Sequence, residues 1–211
     1  MLGLIEMKMS HYLVCSLILG LLFLVTPVSV SAEKQSQPSL EQANTVTASF
    51  DKSGRLWLAW VVAEHLYVNY SDDLGKHFSP PTQVNAIAQK ITAHGESRPQ
   101  IAVANNGHIY LVYNQKLAKR FSGHVRFSRS IDGGKTFSRP VIINSDQQEI
   151  GHSFGTLAVN HQGHIYITWL DGRDASAAQK QGRDYIGSSL YYSVSFDGGK
   201  TFQPNQKLRD H

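Results

Sequence analysis

The sequence predicts an all-β protein built from three four-stranded antiparallel sheets, and three observations lead there. The motif S-x-D-x-G-x-x-F occurs three times, as SDDLGKHF from Ser71, SIDGGKTF from Ser130 and SFDGGKTF from Ser195, at spacings of 59 and 65 residues. A second motif precedes each copy: DKSGRLWLAW, ANNGHIYLVY and NHQGHIYITW, turning at Gly54, Gly107 and Gly163. The segments that follow those glycines, 56–62, 108–113 and 164–170, are apolar or aromatic on nearly every residue. A sheet with one wet face alternates apolar with polar, whereas near-continuous apolar runs are covered on both faces. Motifs repeated in the same order mark a repeat architecture. Blades stacked face to face around an axis bury both faces, so a propeller fits better than a sandwich.

Each repeat divides into four short strands, over 45–85, 98–144 and 156–208. In the second, residues 100–104 form the first strand, Asn105-Asn106-Gly107 a tight turn and 108–113 the second strand. Residues 124–129 form the third, the Ser130 motif turns the chain, and 140–144 return as the fourth. The motif's residue types explain the turn. Ser71, Ser130 and Ser195, with Asp73, Asp132 and Asp197, accept hydrogen bonds from the turn's own backbone N–H groups. Gly75, Gly134 and Gly199 allow a backbone that is costly for residues with a β-carbon. Phe78, Phe137 and Phe202 then tuck under the turn into the blade, so these aspartates are read as turn-makers.

Ahead of the repeats, residues 1–32 read as a secretory signal: Lys8 near the start, an apolar run from Tyr12 to Val25, then Pro27 and small residues ending Val30-Ser31-Ala32. The run is shorter than the roughly 20 apolar residues that span a bilayer. Cleavage is expected after Ala32, leaving an exported chain, secreted or periplasmic, with no membrane segment. Cys15 lies inside the signal, so the mature chain has no cysteine and no disulfide framework. Residues 33–44, EKQSQPSLEQAN, are polar and read as a flexible lead-in. The net charge of +4 comes without a clustered basic run, which argues against a nucleic-acid partner.

Strand direction sorts the loops. In an antiparallel blade the first and third turns share one end, and here they are minimal. The second loops and the connectors share the other end and are long: 85–99, 114–123, 145–155 and 171–189. Long polar loops gathered at one end of a rigid scaffold are where sites form. That end holds His94, Glu96, Arg98, Arg120, Glu149, His152, Asp171, Arg173, Asp174, Arg183, Asp184 and Tyr185. No group with metal-ligand spacing surrounds either histidine, so neither metal nor cofactor is expected.

The three S-x-D-x-G-x-x-F turns resemble the Asp-box, or BNR, repeats of the sialidase superfamily of β-propellers, and the resemblance covers the chain from Thr45 onward. It implies a six-bladed complete fold, of which three blades are present, and a glycan or glycoconjugate as partner. It also implies arginines that grip a sugar carboxylate, whose fork matches the carboxylate bidentately. Arg98, in Ser97-Arg98-Pro99-Gln100, partly matches the family's first arginine; Arg173 and Arg183 are further candidates, and Asp171 or Asp174 is the candidate acid. Two readings follow: an exo-glycosidase that hydrolyses terminal sialosides when complete, or a non-catalytic propeller that binds glycan or protein. Three blades would leave apolar blade faces in water, so self-association is expected unless the chain is the front of a longer propeller.

Overall fold

The computed structural model describes residues 37–146 and 148–209; the expected signal at 1–32 and its cleavage point lie outside the described residues. Among the described residues twelve strands form three sheets, each antiparallel and ordered as in the chain. The first sheet holds β1 (Val46–Phe50), β2 (Leu56–Val62), β3 (His65–Ser71) and β4 (Thr82–Gln83). The second holds β5 (Gln100–Val103), β6 (Ile109–Lys116), β7 (Gly123–Ser130) and β8 (Val141–Ile142). The third holds β9 (His152–Val159), β10 (Ile165–Asp171), β11 (Ser189–Ser195) and β12 (Gln206–Arg209). The all-β architecture of three four-stranded antiparallel blades is the one expected. Among the described residues no helix is long and apolar enough to cross a membrane.

The doubly apolar second strands explain how the blades stack. Successive side chains of a strand point to opposite faces. In β6, Ile109, Leu111 and Tyr113 face the first blade and join Trp57, Ala59, Val61 and Leu66 in one core. Tyr110 and Val112, on the other face, join Ile165, Ile167 and Trp169 of the third blade in a second core. The first strands β1, β5 and β9 pack side by side along the axis, and Thr47 Oγ1 donates to Pro99 O (2.6 Å) between the first two.

The S-x-D-x-G-x-x-F turns form as their residue types require. Ser130 Oγ accepts from Gly134 N (2.9 Å) and donates to Asp132 Oδ1 (2.7 Å), which accepts from Thr136 N (3.0 Å). The same bonds recur at Ser71–Asp73 and at Ser195–Asp197. The glycines also let each later turn sit on the preceding blade. A β-carbon at Gly134 would lie 2.7 Å from the Trp57 ring, and one at Gly199 would lie 2.6 Å from the Phe127 ring. Phe202 packs edge-on to Phe127 at 4.9 Å, and Phe137 lies against the first inter-blade core.

Three differences from the sequence reading concern local structure. The lead-in read as flexible contains a 3-10 turn, Leu40–Gln42, capped by Ser39, and Leu40 and Ala43 pack on Trp60 and Leu58 of the first blade's outer face. The third blade starts at His152 rather than 156, because a β-bulge opposite Trp169 takes up the additional residue. The segment 171–189, read as a loop, contains the helix α1 (Arg173–Lys180), whose alanines at 175, 177 and 178 favour helix.

Two outcomes follow from the turns. Gly107→Ala, at φ +81° in open space, should cost about 1 kcal/mol, whereas Gly199→Ala, at φ +79° against Phe127, should cost about 3 kcal/mol in urea unfolding. Bonds from the Thr136 side chain and N–H and from Ser130 depress the Asp132 carboxyl from 3.8 to about 2. A depressed carboxylate contributes stability above its unfolded value and loses it as pH falls through the folded value. The stability difference between the protein and Asp132→Asn should therefore be level above about pH 5 and shrink steadily between about pH 4 and 2.

Candidate functional site

At the connector end, the β6–β7 loop, residues 117–122, separates two adjoining clefts. Its backbone is pinned rather than open: Leu117 N donates to Ser122 O (3.1 Å), and Ser122 Oγ donates to Lys119 O (2.6 Å). At the far edge Gly123 N donates to Ile150 O (3.0 Å), tying the loop to the connector before the third blade. Phe121 at the tip has a left-handed backbone (φ +59°) and is 82% exposed. The Arg120 guanidinium lies over its ring at 4.5 Å.

The inner cleft, about 460 Å³, lies between this loop, the approach to β5 and the start of β9. Its apolar wall includes Leu117, Phe121 and Phe154, and Lys116, Lys119 and Arg120 bring positive charge. Among the described residues no aspartate or glutamate lines it. Phe154 is there because of the β9 bulge. The Asn114 side chain clamps the bulge from β6, its Nδ2 donating to His152 O (3.0 Å) and its Oδ1 accepting from Gly155 N (3.0 Å). That leaves Phe154 in a left-handed conformation (φ +53°), 46% exposed. Backbone strain of this kind persists where surrounding bonds over-determine it, and it clusters at sites.

The outer cleft, about 480 Å³, lies between the same loop, the connector at Glu149–Gly151, α1 and the segment Arg183–Tyr185. It carries charges of both signs: Lys119, Arg120 and Arg183 against Glu149 and Asp184.

Behind these clefts the expected acids are otherwise engaged. Asp171 is fully buried and accepts from Trp169 Nε1 (2.7 Å), Arg173 Nη2 (2.7 Å), Arg173 Nε (3.0 Å) and Arg173 N (2.9 Å). Arg173 also reaches Asn205 Oδ1 (3.1 Å) and stacks over Tyr191 at 4.2 Å. The pair read from the sequence as an acid and a ligand arginine is therefore a structural clamp across three segments. Asp174 accepts from Ser189 Oγ (2.6 Å) and Tyr191 OH (3.2 Å) and pairs with Lys207 Nζ (3.1 Å). Burial raises its carboxyl, but the bonds from Ser189 and Lys207 outweigh that and hold it below the usual range. A general acid must carry a proton near neutral pH, and a carboxyl held below the usual range is poorly suited to that role.

Of the remaining candidates, Arg183 lines the outer cleft, bonded to Gln181 Oε1 (2.7 Å). Arg98 is exposed just before β5, beside Ser97 of the inner cleft, and its guanidinium has no bonding partner among the described residues. His94 and His152 both line the inner cleft. Phe121, Phe154 and Asn114 were not singled out from the sequence; a loop aromatic and a strand asparagine carry no local signal of their roles.

One group has ligand-type atoms in close array: Asp146, His152 and Asp171, all within 4.8 Å of one another. His152 Nδ1 donates to Gly123 O (2.8 Å), which turns Nε2 toward Asp146 Oδ1 (2.9 Å) and Asp171 Oδ2 (3.6 Å). Asp171 Oδ2 already accepts from Trp169 and Arg173. With Arg173 counted, two carboxylates and one guanidinium leave a single negative charge. A divalent cation would overshoot that charge, because Arg173 already answers the Asp171 carboxylate, so the donor set fits such an ion poorly.

No family model matches the sequence, and no curated protein matches it. Solved structures do. The α-L-arabinofuranosidase of Fusarium graminearum with arabinobiose superposes with TM-score 0.59 at 12% identity, over 83% of this chain and 51% of its own. The Penicillium chrysogenum α-L-arabinanase complexed with arabinobiose gives 0.57 at 16%, over 82% and 51%. The Hadza microbial sialidase Hz136 gives 0.55 at 14%, over 80% and 39%. The chain thus spans about half or less of the length of these structures. They share a propeller-like fold of four-stranded antiparallel sheets with it.

Removing the buried carboxylate tests the clamp. Asp171→Ala strands Arg173 in a largely buried place and should cost about 3 kcal/mol or more in chemical unfolding, as loss of one partner of a buried pair does.

Proposed function

We propose that this chain is the blade-bearing part of an exported, sialidase-like Asp-box propeller, and that its inner cleft binds an anionic sugar. The observation that carries the reading is the cleft's lining: Lys116, Lys119 and Arg120, no carboxylate, and an apolar wall with Phe121 and Phe154. A sugar acid presents a carboxylate, polar hydroxyls and an apolar C–H face. Cations answer the first through charge-assisted bonds, and aromatic faces answer the last. Arg98, exposed and next in the chain to Ser97 of this cleft, is the sequence's candidate for a further cation. The fold likeness to a sialidase and to arabinan-cleaving enzymes captured with arabinobiose supports a glycan as the ligand class.

Binding is favoured over hydrolysis at this cleft. Glycoside hydrolysis uses two flanking carboxyl groups, with a tyrosine in place of the nucleophilic one in sialidases. Here Asp171 is buried against Arg173, and Asp174 is engaged by Ser189 and Lys207, whose bonds hold its carboxyl below the usual range.

Calorimetric titration of the full chain with 3′-sialyllactose and with neutral lactose tests this at physiological salt. The sialylated sugar should bind at least about tenfold tighter, and Arg120→Ala should lose about tenfold, the effect of one charge-assisted bond. Equal affinity for the two sugars would overturn the charge reading. Release of free sialic acid would overturn the preference for binding over hydrolysis.

A further inference from the structure

Behind the clefts, the start of β7 is tied to the connector between β8 and β9 on either side of one buried histidine. Gly123 N donates to Ile150 O (3.0 Å), and Val125 N donates to Asn144 Oδ1 (3.0 Å). Between these two bonds lies His124, 8% exposed, whose ring stacks on that of His152 at 6.1 Å. We propose that His124 is an acid-sensitive latch. Neutral, it holds the connector on β7; protonation of its ring frees Asn144 and Ile150 and loosens the wall that the connector gives the outer cleft. The inference is independent of what the clefts bind.

The Asn144 amide fixes the state of the ring. Its Oδ1 faces Val125 N, so Nδ2 is the group that faces His124 Nδ1, at 3.1 Å. An amide NH2 group only donates, so Nδ1 accepts and carries no proton. The same Nδ2 reaches Asp146 Oδ1 (3.2 Å), which lies 2.9 Å from His152 Nε2. An imidazolium donates from both nitrogens, so a charged His124 would set its Nδ1–H against the Asn144 NH2. A half-turn of the amide would offer that N–H an acceptor but would turn the NH2 onto Val125 N–H. Asn144 therefore cannot serve a charged His124 and the β7 backbone together.

The surroundings also disfavour the charge. Around the ring stand His152 on β9, Arg126 on β7 and Asp146 on the connector. Beyond them Asp171 of β10 and Arg173 of α1 complete the network, and Lys116 of β6 pairs in register with Gly123. Burial first, then His152 and Arg126, push the His124 imidazole below its ordinary 6.5, and the opposing pulls of Asn144 and Asp146 do not restore it. A lifted connector returns the ring to water and to its ordinary value. A group depressed in the closed form favours that form above the open-form value, and the preference is lost as pH falls. The latch is thus fully held above about pH 6.5 and loosens below it. Two further ties of the connector are amide bonds that do not titrate: Ser145 N to Asn205 Oδ1 (2.7 Å) and Gly172 N to Gly151 O (2.8 Å). They anchor its two ends, so the stretch that loosens carries Glu149 and Ile150 of the outer cleft.

Amide hydrogen exchange of the full chain, followed by NMR at about pH 7.5 and pH 5 and corrected for the intrinsic effect of pH, reads the latch at the two amides it protects. Protection at Gly123 and Val125 should fall at least about threefold at the lower pH. Gly134, whose N–H is held by Ser130 Oγ in the second turn, should keep its protection. His124→Asn leaves an acceptor near the Nδ1 position but no titrating ring, so its protection at both amides should be the same at the two pH values. The ring-proton shifts of His124 need no variant, and their midpoint should lie below 6.5. Unchanged protection at Gly123 and Val125 in the unmodified protein would overturn the latch, as would a His124 midpoint at or above 6.5. A loss that persists in His124→Asn would remove His124 from the response. A loss shared equally by Gly134 would mean general acid unfolding and would also overturn it.

Discussion

Everything at the connector end depends on one packing constraint: β6, the middle strand of the second blade, is apolar on both faces and must be covered on both. Ile109, Leu111 and Tyr113 turn one way, Tyr110 and Val112 the other, and the neighbouring blades supply the cover. Burial of apolar area at roughly 25 cal/mol per Å² is the main favourable term in folding. Satisfying it on both faces of β6 sets the second blade against the first and the third. The turns then refine the fit, since Gly134 and Gly199 admit Trp57 and Phe127 where a β-carbon would collide. The loops at the other end inherit a rigid base.

On that base, polar residues do local work that the apolar cores cannot. Asn114 grips both sides of the β9 bulge, so a strand irregularity becomes a fixed presentation of Phe154. Asp171 gathers Trp169, Arg173 and the first residue of β9 into a buried network that also reaches Asp146 and Asn205. Buried charges are retained only when paired and bonded, and this one joins the connector, the third blade and α1 behind the clefts. The clefts are therefore walls of loop and helix held by a polar anchor.

How charge is distributed separates the two clefts more sharply than shape does. Their volumes are alike, but one gathers cations alone and the other mixes signs. Within a partly desolvated cleft such differences act more strongly than on open surface.

The sequence by itself determined the number of blades, their strand order, the chemistry of the turns and the end at which long loops collect. These follow from patterns that repeat within a few residues: alternation, glycine placement, and serine and aspartate bonding to their own backbone. It also marked Arg98, Arg173, Arg183, Asp171 and Asp174 as chemically capable. Only the tertiary structure decided which of them are committed. Asp171 and Arg173 neutralise each other because burial brings Trp169, His152 and Asn205 around them, and Asp174 meets Lys207 across the sheet. Phe121 and Phe154 became cleft walls through a bulge and a pinned turn, whose bonds join residues up to 41 apart in the chain. Local patterns carry backbone preference. The fate of a charge or an exposed ring is set by what long-range folding places beside it.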